Sequence, residues 1–382
     1  MSVTFPDGFQ AGSVAAGLKS NGKLDLTVVY NTGPTDHAAA VFTSNRAMAN
    51  PVLWSKEAIK DEKARAVLLN SGGANCYTGA QGFQTTHKSA ELVAEALELS
   101  AQDVLVCSTG LIGVQLDTEK LYPAISSAIG ALSNDGGADS AQAIMTTDTV
   151  PKLATAVSAS GWKIGAMAKG AGMLAPALAT MLVVITTDAT VKDLDRKLRA
   201  ATSISFDRLD SDGCTSTNDT VILMASGSSG IEADESEFQQ LLNQVCVDLA
   251  KQLMADAEGA SHEIEIEVYG ADTEADALEV GRAISRNNLF KTAIYGNDPN
   301  WGRILAAIGT TRAKFDPYQI DVEINGIRVS TGGGPDRDRS EVDLGKRQVS
   351  VRVGLNAGRE VATIWTNDLT KEYVIENSEY SS

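Results

Sequence analysis

What this chain has little of narrows its chemistry before any motif is read. It holds three histidines, His37, His87 and His262, and none stands in an HExxH arrangement, so the pattern offers no histidine-built metal site. The four cysteines, Cys76, Cys107, Cys214 and Cys246, lie far apart and form no CxxC pair. That spacing reads as reduced thiols in a cytoplasmic protein rather than a disulfide frame or a zinc site. No apolar run approaches the roughly 20 residues that a membrane-spanning helix needs. The opening MSVTFPDGFQAGS has neither a basic n-region nor an apolar h-region, and so does not read as a signal peptide. Basic runs are also missing. With Lys+Arg at 32 against Asp+Glu at 49, the net charge is 32 − 49 = −17, a field that repels nucleic acid and anionic membranes. Two common catalytic loops are absent as well. There is no GxSxG nucleophile elbow, and Gly332-Gly333-Gly334 lacks the GK[ST] ending of a phosphate loop, so it reads as a flexible turn.

What is present is an ordinary globular composition, 382 residues with 43% hydrophobic and 21% charged, enough chain for two or three domains with well-buried cores. The pattern is mixed α and β throughout. Leu24 to Tyr30 and Arg65 to Leu69 read as strands, the second running into the small-residue loop Asn70 to Asn75. Lys88 to Leu99 has helical spacing, and the apolar run Asp103 to Cys107 stops at Ser108-Thr109-Gly110. Met181 to Ile185 reads as a strand buried on both faces. A helix from about Asp234 lines up Phe238, Leu241, Leu242, Val245, Leu249 and Leu253 on one face. Glu263 to Val268, and then Val349, Val351 and Val353, alternate as strands with one wet face. A domain boundary near 255–260 is expected, giving a main α/β domain over 1–257 and a smaller α/β domain over 258–382.

Several nucleophiles remain open on residues alone. One histidine would suffice for a serine–histidine–aspartate site, although no serine has a recommending context. Cys76 and Cys107 sit at or near strand ends, yet a buried free cysteine is more often inert packing. Thr180 opens the apolar run from Met181, but β-branched residues suit strands for packing reasons alone. Thr109-Gly110 reads as a plain turn, and Glu258 as a solvated residue at a helix end. Trp301 and Arg303 read as structural, the tryptophan buried.

Taken together, a series of segments carries a more specific message. Ala39-Ala-Val-Phe-Thr-Ser-Asn-Arg46, Cys107-Ser-Thr-Gly-Leu-Ile-Gly113, Thr146-Thr-Asp-Thr149, Lys169 through Met181, Asp256-Ala-Glu-Gly-Ala260, Asp298-Pro-Asn-Trp-Gly-Arg303 and the tail Asn377 to Ser382 occur in this order. The sequence resembles the ornithine acetyltransferase family, self-processing enzymes of arginine biosynthesis with an N-terminal threonine nucleophile, over nearly the whole chain. The resemblance implies a layered αββα-type sandwich, with the smaller C-terminal domain closing the active site. It implies self-cleavage between Ala179 and Thr180 into an α chain of 1–179 and a β chain from 180. Thr180 would be the nucleophile, Thr109 and Gly110 the oxyanion donors, and Lys169 and Glu258 a charged active-site pair. Thr146, Lys169, Thr180, Glu258, Asn377 and Ser382 would contact substrate.

The implied reaction takes acetyl from N2-acetylornithine to glutamate by a ping-pong route through acetyl-Thr180. Acetyl-CoA is admitted as a second donor, no metal or organic cofactor is implied, and the implied assembly is a heterotetramer of two α and two β chains. The alternative is a related self-processing aminopeptidase or amidohydrolase, in which water replaces glutamate. The family often reads differently over Asn70 to Asn75 and Thr366 to Leu369, segments that carry no assigned chemistry.

The implied residue types suit acyl transfer. An ester intermediate splits the reaction into two steps, each with one tetrahedral intermediate. A freed α-amine, with a reference pKa of about 7.7–8.0, is roughly a third neutral at pH 7.5, against about 0.1% for an ordinary lysine. That makes the α-amine the better base and leaves Lys169 to stabilise charge. Asn377 and Ser382 fall in a polar tail of a kind that ordinarily frays.

Overall fold

The computed structural model describes residues 2–174 and 181–379. Its compact units are two: one of residues 2–173, 181–207 and 214–253, the other of Leu174, 208–213 and 254–379 among those described.

The first unit holds two sheets. One has the order β1-β2-β4-β5, from β1 (Phe9–Val14), β2 (Leu26–Asn31), β4 (Ala66–Asn70) and β5 (Val104–Ser108). The other has the order β3-β9-β8-β7-β6, from β3 (His37–Phe42), β6 (Lys152–Val157), β7 (Lys163–Lys169), β8 (Leu182–Thr187) and β9 (Thr220–Ala225). Period-two alternation sends Val29, Val67, Leu69 and Leu105 of the first sheet into one core with Met167, Leu182, Val184, Ile222 and Met224 of the second. The opposite face of the first sheet, with Val28, Leu68 and Val106, is covered by α2 (Gly79–Leu97) and α3 (Thr118–Gly130) through Val93, Leu121 and Ile125. On the second sheet, α5 (Leu194–Ser203) packs against β3. There too α6 (Glu235–Ala255) meets the β6–β7 hairpin, with Phe238 5.5 Å from Trp162. The layers therefore run helices, sheet, sheet, helices. Two short helices, α1 (Asn50–Ala58) and α4 (Gly137–Ala143), pack at β5 and at β1 respectively.

In the second unit one sheet has the order β13-β12-β11-β14-β10-β15. Its strands are β10 (Glu263–Ala271), β11 (Asp321–Ile324), β12 (Ile327–Thr331), β13 (Gly334–Pro335), β14 (Gln348–Gly354) and β15 (Glu360–Asn367). Ile264, Ile266 and Val268 point into a core shared with α7 (Glu274–Ser285), α8 (Asn288–Tyr295) and α9 (Trp301–Ile308). Trp301 is half-buried, not buried as its sequence context suggested, because it opens α9 with only part of its ring against this core. Gly332 and Gly333 form the expected turn, both at positive φ, between β12 and β13. Of the C-terminal segment, Lys371–Glu379 form α10, stapled at its start by the Thr370 hydroxyl, which donates to Gly259 O (2.7 Å) and accepts from Tyr373 N (3.0 Å).

Candidate active site

The turn after β5 is set by its parallel neighbour β4. Asn70 pairs with Ser108, its carbonyl accepts from Thr109 N at 3.0 Å, and its side-chain amide donates to Ser108 Oγ at 2.6 Å. The Thr109 carbonyl in turn accepts from Gly73 N at 3.0 Å, which draws the 71–74 loop close. A side chain at position 110 would collide with that loop: a Cβ would stand 2.8 Å from Gly73 N, and φ is +130°. Only glycine fits there. Among the described residues nothing accepts a hydrogen bond from the Gly110 N–H, so that donor is uncommitted.

Lys169 closes β7 and is almost wholly buried. Its ammonium donates to Thr109 Oγ1 at 3.2 Å. Since the hydroxyl oxygen is the acceptor there, the Thr109 O–H proton points elsewhere and is free to donate. Two donors, one hydroxyl and one backbone N–H, thus sit on consecutive residues beside a buried cation.

A carboxylate to which the sequence reading gave no role organises the rest. Asp148 Oδ1 accepts from Lys152 Nζ (2.5 Å) and Gly170 N (2.6 Å), and Oδ2 accepts from Thr146 N (2.9 Å). Burial alone would raise its pKa; the charges of Lys169 and Lys152 and these hydrogen bonds outweigh that and hold the carboxyl at about 2. Asp148 ties the Thr146 loop to the residue following Lys169. The spacing Asp148 to Lys152 is four residues, but the Gly170 contact spans 22 and leaves no local signature.

Glu258 and Asn377 lie in the second unit and touch each other: Asn377 Nδ2 donates to Glu258 Oε2 and to Tyr373 O, both at 3.0 Å. Gly259 has φ +60°, and a Cβ there would come within 2.2 Å of Tyr373 N, so the Glu258 turn meets α10 only through glycine. Partial burial, then the charges of Glu258, Asp256 and Glu372, raise the pKa of Glu376 on the same helix. This acidic cluster is one that a cation would relieve. Thr180, Ala179 and Ser382 lie outside the described residues.

The cysteine alternative weakens, because burial pushes the Cys107 thiol up to about 12, away from the reactive thiolate. Cys76 and Cys246 are likewise buried and free. Among the described residues no group of three or more His, Cys, Asp or Glu is arranged to hold a metal ion, and no helix is long and apolar enough to cross a membrane.

The ArgJ family model matches residues 10–382. The chain belongs to the ArgJ family. It is an acyltransferase, a glutamate N-acetyltransferase of arginine biosynthesis. Over 384 residues it is 59% identical to the "Arginine biosynthesis bifunctional protein ArgJ" of Streptomyces avermitilis, and 58% identical to the protein of that name from Thermobifida fusca, each match covering 100% of both chains. Among solved structures, an ornithine acetyltransferase from Mycobacterium tuberculosis complexed with ornithine is 47% identical, covering 47% of this chain and 96% of that one, with a TM-score of 0.46.

Proposed function

We propose that this ArgJ-family chain cuts itself between Ala179 and Thr180, then carries acetyl from N2-acetylornithine to glutamate on the Thr180 hydroxyl. The observation that carries the reading is the pair of uncommitted donors, the Thr109 O–H and the Gly110 N–H, beside the buried Lys169 ammonium. Lys169 stands opposite Leu182 in the β7–β8 pairing, two residues past Thr180 in sequence. Support also comes from the relatives, named bifunctional proteins of arginine biosynthesis.

In self-cleavage the Thr180 Oγ1 attacks the Ala179 carbonyl carbon and the C–N bond breaks. Water then hydrolyses the ester, leaving a carboxylate on Ala179 and a free α-amine on Thr180. In turnover that amine takes the hydroxyl proton as Oγ1 attacks the acetyl carbonyl of N2-acetylornithine. The proton leaves with the ornithine amine. Glutamate's neutral amine then attacks the ester, and its surplus proton returns to Oγ1 by way of the Thr180 amine. In both halves Thr109 and Gly110 receive the developing oxyanion, a role in which one donor is worth about 3–4 kcal/mol. Lys169 serves as a fixed cation, held against Thr109 Oγ1 by one of its three N–H donors. Glu258 and Asn377 meet the substrate ammonium, with Thr146 and Ser382 as further substrate contacts. The fragments assemble as two α and two β chains, and the reduced thiols suit the cytoplasm.

Intact mass spectrometry of Thr180→Ala tests the reading. An uncut 382-residue chain without turnover is expected, Thr180→Ser should retain part of both activities, and normal fragments from Thr180→Ala would overturn the assignment. Incubation with N2-acetylornithine, with and without glutamate, separates transfer from hydrolysis, because a hydrolase releases acetate whether or not glutamate is added. Acetyl-CoA in place of N2-acetylornithine asks whether a second donor serves.

A further inference from the structure

Immediately before β9, two side chains reach in different directions. The Asn218 amide donates to Ala74 O at 2.6 Å and to Ser108 O at 2.8 Å, the carbonyls that flank the oxyanion turn. Its own oxygen is held by the Thr217 hydroxyl at 2.6 Å, which fixes the amide's orientation. Asp219, fully buried, accepts from Met181 N at 3.2 Å through Oδ1. That nitrogen is bonded to the Thr180 carbonyl carbon. The Met181 carbonyl accepts from Thr220 N, also at 3.2 Å, so the residue after Thr180 is gripped at both ends.

We propose that Asn218 and Asp219 are positioning residues that fix the Thr180 peptide relative to the Thr109–Gly110 donors. The inference rests on the reading of Thr180 as nucleophile. Acyl transfer requires the attacking oxygen and the oxyanion donors to keep their separation to within a fraction of an ångström. A two-residue segment that holds the carbonyl before Thr109 and the amide after Thr180 sets that separation directly.

The choice of an acid fits the same task. Asp219 Oδ2 makes no hydrogen bond of normal geometry. Burial pushes the carboxyl well above its ordinary range, against the Met181 N–H, the Ser216 and Thr43 hydroxyls and the Lys169 charge. That direction favours the uncharged form, which still offers Oδ1 to the Met181 N–H.

The test uses the full-length chain with Asp219→Ala, Asp219→Asn and Thr180→Ala. Self-cleavage is followed by intact mass, and kcat is referred to the fraction of enzyme that becomes acetylated. Asp219→Ala is expected to slow cleavage and kcat at least about tenfold while KM for N2-acetylornithine stays within about threefold. Asp219→Asn keeps an oxygen for Met181 N, and should restore both rates to within about threefold of wild type. Wild-type cleavage and kcat in Asp219→Ala would overturn the proposal. So would a folded Asp219→Asn as defective as the alanine variant, an outcome that decides even where Asp219→Ala fails to fold. If Thr180→Ala itself cuts and turns over, the underlying nucleophile assignment fails instead.

Discussion

Around Lys169 the charged groups are sealed from solvent, with Asp148 under the charges of both Lys152 and Lys169. Around Glu258 the carboxylates of Asp256, Glu372 and Glu376 gather at a solvent-facing helix with a net negative field. The first arrangement keeps charges fixed where water cannot screen them, which suits groups that must meet an oxyanion as it forms. The second gathers like charges, which suits capture of a cation and contributes little to folding. The difference predicts that substitutions in the two places will read out in different measurements.

Lys152→Ala sharpens the comparison most. It strips a buried carboxylate of a partner, and a loss of about 3–5 kcal/mol is expected, seen as a fall in melting temperature on the order of 10 °C. A stable Lys152→Ala protein would place the Asp148 network with the exposed charges energetically. Thr109→Ala should lower kcat about a hundredfold with the melting curve nearly unmoved, because Gly110 keeps its N–H. Unchanged kcat at saturating N2-acetylornithine would remove Thr109 from the oxyanion role.

Acid separates the regions differently. Asp148 titrates at about 2 in the fold and near 3.9 when unfolded, so its contribution is complete above pH ~4 and is lost as pH falls through ~2. About 2–3 kcal/mol of stability should vanish over that window, and Asp148→Asn should flatten it. The smallest effect on the fold comes from truncation after Glu376. KM for N2-acetylornithine should rise several-fold while melting shifts by about 1 °C or less, since α10 has no buried residue. Added salt should raise KM in the intact enzyme and leave the Thr109 effect on kcat in place. A large drop in melting temperature with unchanged KM would make the tail structural.

Six of the fifteen described strands were legible in sequence because their apolar patterns are local. The runs read as strands appear as β2, β4, β5, β8, β10 and β14, with ends shifted by at most three residues. The helix read from Lys88 in fact begins at Gly79. Its first turns carry Gly79, Gly82, Thr85 and Thr86, poor helix formers whose conformation is chosen by tertiary burial of Gly82, Thr85 and Thr86. At the site, the strand-end position of Thr109 and Gly110 could be read from the chain, and the resemblance supplied a role for them. Asp148, Asn218 and Asp219 were invisible, since each acts through backbone atoms 22 to 144 residues away and no periodicity encodes such partners.

The order β3-β9-β8-β7-β6 has a topological outcome under the proposed cleavage. A cut before Thr180 assigns β3, β6 and β7 to one fragment and β8 and β9 to the other. The second fragment's strands are then interleaved, bonded to β7 on one flank and β3 on the other. Neither piece can leave without unzipping two strand pairs within a buried layer, so the severed halves stay associated without any covalent tie. The sequence of events is constrained too: the sheet must close while the chain is whole, because afterwards an incoming fragment would have to thread between strands already in place.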